Sequence, residues 1–262
     1  MDLSMISTME NYDASNFDLS SGAGGSGDHH MELMRTNLLS DHTSVLWDLV
    51  ELLRQPKSSS SESRRIDFVL DNSGLELFSD LCFADWLLTV GLADKVMLHF
   101  KKMPWFISDA TIIDFDWMVG HLLEAKDQDQ NLSTLGERWR GRVQDGSFVL
   151  TDHAFWTTSF ECAAMESVAS DLYALLAQSF LVFFKGDLNY RKLLADRNWL
   201  YTENFSIALG GFQPTNVCAL RTLKADLVTG LPPGAATKAA GQNKDWMVTG
   251  QYAVCQVNQK KK

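Results

Sequence analysis

A chain of 262 residues with net charge −10 and 45% hydrophobic residues suits one large α/β domain, or one domain with a tail, and it can bury a full core. The acidic balance disfavours nucleic acid and anionic membrane as partners, and the terminal Lys260-Lys261-Lys262 is too short to reverse it. No apolar run approaches a membrane span, and the start lacks the basic-then-apolar pattern of a signal peptide. Cys82, Cys162, Cys218 and Cys255 form no CxxC pair, which predicts reduced, mostly buried thiols in a cytosolic protein.

Residues 1–36, with SSGAGGSGDHH near their end, read as a flexible Ser/Gly-rich lead in which His29-His30 is incidental. Leu38 to Leu53 reads as a helix capped near Ser40 or Asp41, ended by Pro56 and a serine run. The apolar run Ile66, Phe68, Val69 and Leu70 predicts a buried parallel strand. It stops at Asp71-Asn72-Ser73-Gly74, after which Leu77, Leu81, Ala84 and Leu88 share one helical face. Capping that helix needs one polar residue, and here two precede the serine. Lys95 to Phe100 predicts a second strand, followed by a loop carrying Asp109 and a helix through Asp114 to Leu123. Residues 127–146 read as an irregular surface excursion, and 152–158 as a strand end or loop in which His153 is structural. A helix from Val168 to Gln178 leads into the wholly apolar strand Phe180 to Phe184. Cys218 to Asp226 reads as another strand, Pro232-Pro233-Gly234 as a turn, Trp246 to Val257 as a closing edge strand, and 258–262 as a basic tail. The alternation predicts a mainly parallel sheet with helices on both faces.

Three strand ends offer complementary chemistry. Asp71, Asn72 and Asp109 are hard oxygen donors suited to Mg or Mn and tolerable to Co or Ni. Lys185, Arg191, Arg221 and Lys224 are cations that can hold phosphate, and Gly186 lets backbone N–H groups approach an anion. A carboxylate-held divalent cation facing a lysine suits phosphoryl hydrolysis; the alternative is a set of salt bridges and helix caps. A haloacid-dehalogenase-type phosphatase wants an acid two positions after its strand-end Asp, where this chain has Ser73. A Rossmann-type methyltransferase or dehydrogenase wants a glycine-rich loop there, and only Gly74 is present.

From Asn37 to about Gln256 the chain resembles the metal-dependent damage-control phosphatases, in the group also called acidic-residue or protein-glutamate O-methyltransferases. The resemblance rests on RIDFVLDNSGLELFSDL, MPWFISDAT, FFKGDLNYRKL and the LRTLKAD segment with its RTxK signature, in that order. It implies a three-layer α/β/α sandwich over residues 37–257, with Mn, Ni or Co (Mg possible) on Asp71, Asn72 and Asp109. It implies sugar-phosphate contacts at those residues, at Lys185, Gly186, Asp187, Leu188 and Asn189, and at Lys224. Catalysis is expected from Asp71, Asn72, Asp109 and Lys185, on fructose-1-phosphate, fructose-6-phosphate and related damaged phosphometabolites, in the cytoplasm. Glu76 matches a position linked with S-adenosylmethionine, which would serve protein-glutamate methylation as the alternative activity; as a bare residue it also reads as a first-turn acid.

Two features depart from that pattern. The helical N-terminal domain of the family is missing ahead of residue 37, and Asn16-Phe17-Asp18-Leu19-Ser20 resembles, one residue short, an Asn-x-x-Asp-Leu-Ser motif. Ala195 stands where a glycine is usual before Asp196. A third reading follows, of a truncated, weakly active or inactive product that binds sugar phosphate or a partner.

Overall fold

The computed structural model describes residues 36–55, 64–127 and 129–261, and in it the apolar runs join one seven-stranded sheet. The predicted lead, with Asn16, Asp18 and the histidine pair, lies outside the described residues. The strands are β1 (Leu38–Asp41), β2 (Arg65–Val69), β3 (Lys95–Phe100), β4 (Phe148–Asp152), β5 (Leu181–Lys185), β6 (Asn216–Thr222) and β7 (Ala253–Asn258), in the order β1-β7-β6-β5-β2-β3-β4. Every pairing is parallel except that of β6 with β7.

Successive residues of a strand point to opposite faces, and both faces here are apolar. Phe68, Leu98, Phe183 and Leu220 enter one core, shared with α1 (Thr43–Glu51), α2 (Leu75–Thr89), α3 (Ile112–Glu124) and α4 (Gln130–Gln144). Val69, Val182, Phe184 and Ala219 enter the other. There they meet α5 (Met165–Val168), α6 (Ser170–Leu176), α7 (Gly186–Leu193), α8 (Phe205–Ala208) and α9 (Ala235–Gln242). The result is the α/β/α sandwich the sequence implied. Phe68 and Phe183, opposite each other in register, stack at 4.8 Å between centroids, which fixes β2 against β5 at the sheet centre.

Three elements differ from expectation. The segment read as one helix from Leu38 opens as β1, because Leu38 to Asp41 pair with Ala253 to Cys255; α1 starts only at Thr43, whose N–H donates to Asp41 Oδ1 at 2.9 Å. The excursion expected at 127–146 is largely α4, whose Leu132, Leu135 and Trp139 pack on the first core beneath a polar exterior. Its Gly136 lies so close to α3 that a Cβ would sit 2.9 Å from that of Leu122. The closing strand is shorter than predicted and sits inside the sheet, since β1 takes the edge. All four cysteines are free, three of them buried, and no helix among the described residues is long and apolar enough to cross a membrane.

From β2 the chain builds outward through β3 and β4, then returns to place β5 on the other side of β2. The carboxyl ends of β2 and β5 therefore flank a topological switch point, where open α/β sheets form their binding crevice.

Candidate functional site at the β2 and β5 ends

Asp71 lies two residues past the end of β2, and its surroundings are fixed by the loop leaving β3. Ala110 N–H donates to Asp71 O at 2.7 Å and Ser73 N–H to Ser108 O at 2.8 Å, which sets Asp109 opposite Asn72 in an antiparallel bridge. Asp109 Oδ2 accepts the N–H groups of Trp105 and Phe106 at 3.0 and 2.9 Å. Asn72 Oδ1 accepts Ser108 Oγ at 2.6 Å, while its amide donates to Glu76 Oε2 at 2.8 Å. The helix α2 begins after Gly74, at φ 72°, with no side-chain cap, so neither Asp71 nor Asn72 is spent on capping.

The facing wall comes from the turn of β5 into α7. Gly186 holds φ 77°, and a Cβ there would lie 1.8 Å from Asp71 Oδ2. Only glycine lets the backbone of this turn close onto the carboxylate. Asp187 Oδ1 accepts Arg221 Nε at 2.8 Å and the Lys224 N–H at 3.1 Å, joining the first turn of α7 to the end of β6. Asp71, Asn72, Glu76, Asp109, Gly186, Asp187, Leu188 and Lys224 share one cavity of about 210 Å³. The first N–H groups of α7 have no intrahelical acceptor, and the residues that carry them line this cavity.

Lys185 and Asn189 lie beneath the cavity rather than in its wall. Lys185 is fully buried with Nζ 3.2 Å from Asp80, so its ammonium is placed to compensate an internal acid and not to meet a phosphate. Asn189 donates to Val69 O, Leu70 O and Lys185 O at 3.2, 3.0 and 2.7 Å, binding the two strand ends together. Arg221 is likewise buried, against Asp187 and the carbonyls of Leu227 and Ala225. Of the four cations read from the sequence, Lys224 and Arg191 line the cavity, Arg191 with its Nε–Nη2 edge on the Asp196 carboxylate.

Lys101 escaped the sequence reading. It follows β3 as the first of two lysines that look like a solvated strand end, yet it is buried, with Nζ donating to Leu70 O at 2.6 Å and Asn189 Oδ1 at 3.0 Å. The one available signal is its position, a cation just past the strand that neighbours β2.

Burial holds the Asp71 carboxyl well above its ordinary range; Glu76 adds to the shift, Lys101 opposes it, and Asp109 and Asp187 raise it further. Desolvation in turn pushes Lys101 down. Asp71 Oδ1 and Glu76 Oε1 are buried without a hydrogen-bond partner, a costly arrangement unless a positive group faces them. Among the described residues no three His, Cys, Asp or Glu side chains gather as metal ligands, so a cation here would rest on two carboxylates and the Asn72 amide. All-oxygen donors, one of them orphaned, fit a hard divalent ion.

The profile described as "Damage-control phosphatase ARMT1-like domain" matches residues 10–239. Proteins named "Damage-control phosphatase ARMT1" are 43% identical over 84% of this chain and 48% of their own length in Danio rerio. The corresponding figures are 41%, 91% and 55% in Rattus norvegicus, and 39%, 86% and 51% in Homo sapiens. The chain thus spans about half the length of the curated relatives it matches. A duf89 family protein from Pyrococcus horikoshii superposes with a TM-score of 0.46 at 15% identity, over 99% of this chain and 67% of that one, a likeness too weak to argue from.

Proposed function

The chain belongs to the damage-control phosphatase ARMT1-like family, and on that premise we propose that it hydrolyses small phosphorylated metabolites with the help of a divalent metal ion. The observation that carries this reading is the closure of Gly186 onto Asp71. An orphaned carboxylate oxygen and the start of a helix face one cavity that also holds Lys224. A cation and a phosphate fit side by side there, each satisfying what the other leaves exposed.

In this reading Asp71, Asn72 and Asp109 would hold Mn, Ni, Co or Mg, which when bound supplies Lewis-acid polarisation of the phosphoryl group and a more acidic water. The first N–H groups of α7 and the Lys224 ammonium take the phosphate oxygens. Asp187 is held in place by Arg221, where it can accept a substrate hydroxyl. Water adds to phosphorus, the ester P–O bond breaks, and the proton lost by water ends on the departing alcohol. Lys185, Asn189 and Lys101 act from below by fixing the strand ends. Fructose-1-phosphate and fructose-6-phosphate are the proposed substrates and the cytosol the proposed compartment. Glu76, the position tied by resemblance to S-adenosylmethionine, meets the Asn72 amide through Oε2, a contact that lends methyl transfer no support.

The test is phosphate release from both fructose phosphates by the purified chain, chelated and then resupplied with Mn, Co or Ni, beside Asp109→Ala. Metal-dependent release that the substitution removes supports the reading. A folded chain that releases nothing from either ester under any metal overturns it, and the reading as a binding-only product takes its place.

A further inference from the structure

Beside the phosphate cavity lies a second one of about 240 Å³, and the two share Phe106, Leu188 and Arg191 as walls. Its free surface is aromatic. Trp105, Phe106 and Phe160 are 40%, 49% and 47% exposed, and the first two lie nearly parallel, with centroids 6.5 Å apart and planes 21° off. Its charged groups are already engaged. Arg191 donates to both carboxylate oxygens of Asp196 at 2.9 and 2.8 Å. Lys192 donates to Thr158 O and Phe160 O, each at 2.6 Å, with its ammonium 4.6 Å from the Phe155 ring centroid. Glu161 at the edge adds negative charge. The Lys192 ammonium also lies 5.6 Å from the Trp105 ring centroid, so both cations are already committed to partners within the pocket and are balanced by Glu161 and Asp196, whereas a neutral planar group finds the exposed surface of Phe106 and Phe160. The aromatic loop is also tied to the chemistry, since Trp105 and Phe106 donate their N–H groups to Asp109.

We infer that the second cavity receives an uncharged, planar or ring-bearing part of the substrate, attached to the phosphate held next door. This rests on the phosphatase reading and narrows its substrate class to phosphoesters that carry such a group beyond the phosphate-bearing carbon.

The experiment compares 2-phenylethyl phosphate with ethyl phosphate, whose leaving alcohols are alike, on the Mn-loaded chain. The ring is expected to raise kcat/KM roughly tenfold. Phe160→Ala should bring the ratio of the two substrates close to unity, and Phe160→Trp should restore it. Calorimetric binding of 2-phenylethyl phosphonate and ethyl phosphonate reads the same pocket without turnover. Equal affinity of wild type for the two phosphonates, or a ratio untouched by Phe160→Ala in a folded protein, overturns the inference. Ring-dependent binding without hydrolysis of any ester sinks the phosphatase reading and leaves the pocket assignment standing.

Discussion

Replacing Gly186 with alanine tests the closure of α7 onto Asp71 with a single methyl group. The added carbon would stand 1.8 Å from Asp71 Oδ2, 2.4 Å from Cγ and 2.6 Å from Cβ. Normal contact is about 3.5–4 Å, so the carboxylate and the turn must separate by more than about 1 Å. Alanine at φ 77° costs a further 1–2 kcal/mol or so, and relieving the clash about 1–3 kcal/mol, giving a total of about 2–5 kcal/mol. That corresponds to a fall in Tm of roughly 5–15 °C. A displacement of about 1 Å at a reacting centre lowers kcat/KM on the order of 10²-fold. Gly91 is the control: its φ is 72°, but a Cβ there meets nothing within 4 Å, so Gly91→Ala carries the backbone cost alone. Metal-dependent phosphate release and thermal melts on both variants separate strain from misplacement. If Gly186→Ala hydrolyses fructose-1-phosphate as well as Gly91→Ala does, the position of Asp71 against α7 is not what makes the site, and the reasoning fails.

Lys224 is exposed and lines the cavity, so Lys224→Ala should raise KM roughly 10–100-fold, the worth of one charge-assisted hydrogen bond, with Tm unchanged; steady-state kinetics and a melt read this together. Lys101→Met leaves Asn189 Oδ1 without its donor and Leu70 O with the Asn189 amide alone, and urea denaturation should show a loss of about 1–3 kcal/mol. An unchanged or more stable variant would mean that the cost of burying the ammonium exceeds the bonds it makes. Burial pushes the Asp80 carboxyl up to about 7, against the pull of Lys185. The folded state then binds this proton more tightly than the unfolded one, so the contribution of Asp80 is full below the ordinary carboxyl range and is lost as pH rises to about 7. The stability of wild type relative to Asp80→Asn should accordingly decline between pH 5 and pH 8 in urea titrations, and a rising difference would refute the assignment.

The central motif was legible because two signals agreed within a few residues. The run Ile66 to Leu70 is apolar but for Asp67, in keeping with a strand covered on both faces, and Asp71-Asn72 exceeds what a helix start requires. The same logic found β3 with its bounds and β5 within one residue. Elements at the periphery were harder. The four residues of β1 are too short to show an alternation, and only their pairing with β7 more than two hundred positions later makes them a strand. Helix α4 hides its apolar stripe of Leu132, Leu135 and Trp139 among charged residues. Within the site, backbone position was readable and side-chain direction was not. Lys185 and Asn189 sit in the right turn but point beneath it, toward Asp80 and the strand-end carbonyls. Nothing local in Phe100-Lys101-Lys102 distinguishes the lysine that is swallowed by the sheet from the one that follows it.

The most direct test is calorimetric titration of Mn²⁺ into the chelated chain, followed by inorganic phosphate, for wild type and for Asp71→Ala shown to be folded by circular dichroism. The account predicts saturable Mn²⁺ binding to wild type, phosphate binding only once the metal is present, and loss of both in the variant. Wild type that takes up no Mn²⁺, or an Asp71→Ala protein that binds metal and phosphate as well as wild type, would contradict a shared cation and phosphate site at the ends of β2 and β5.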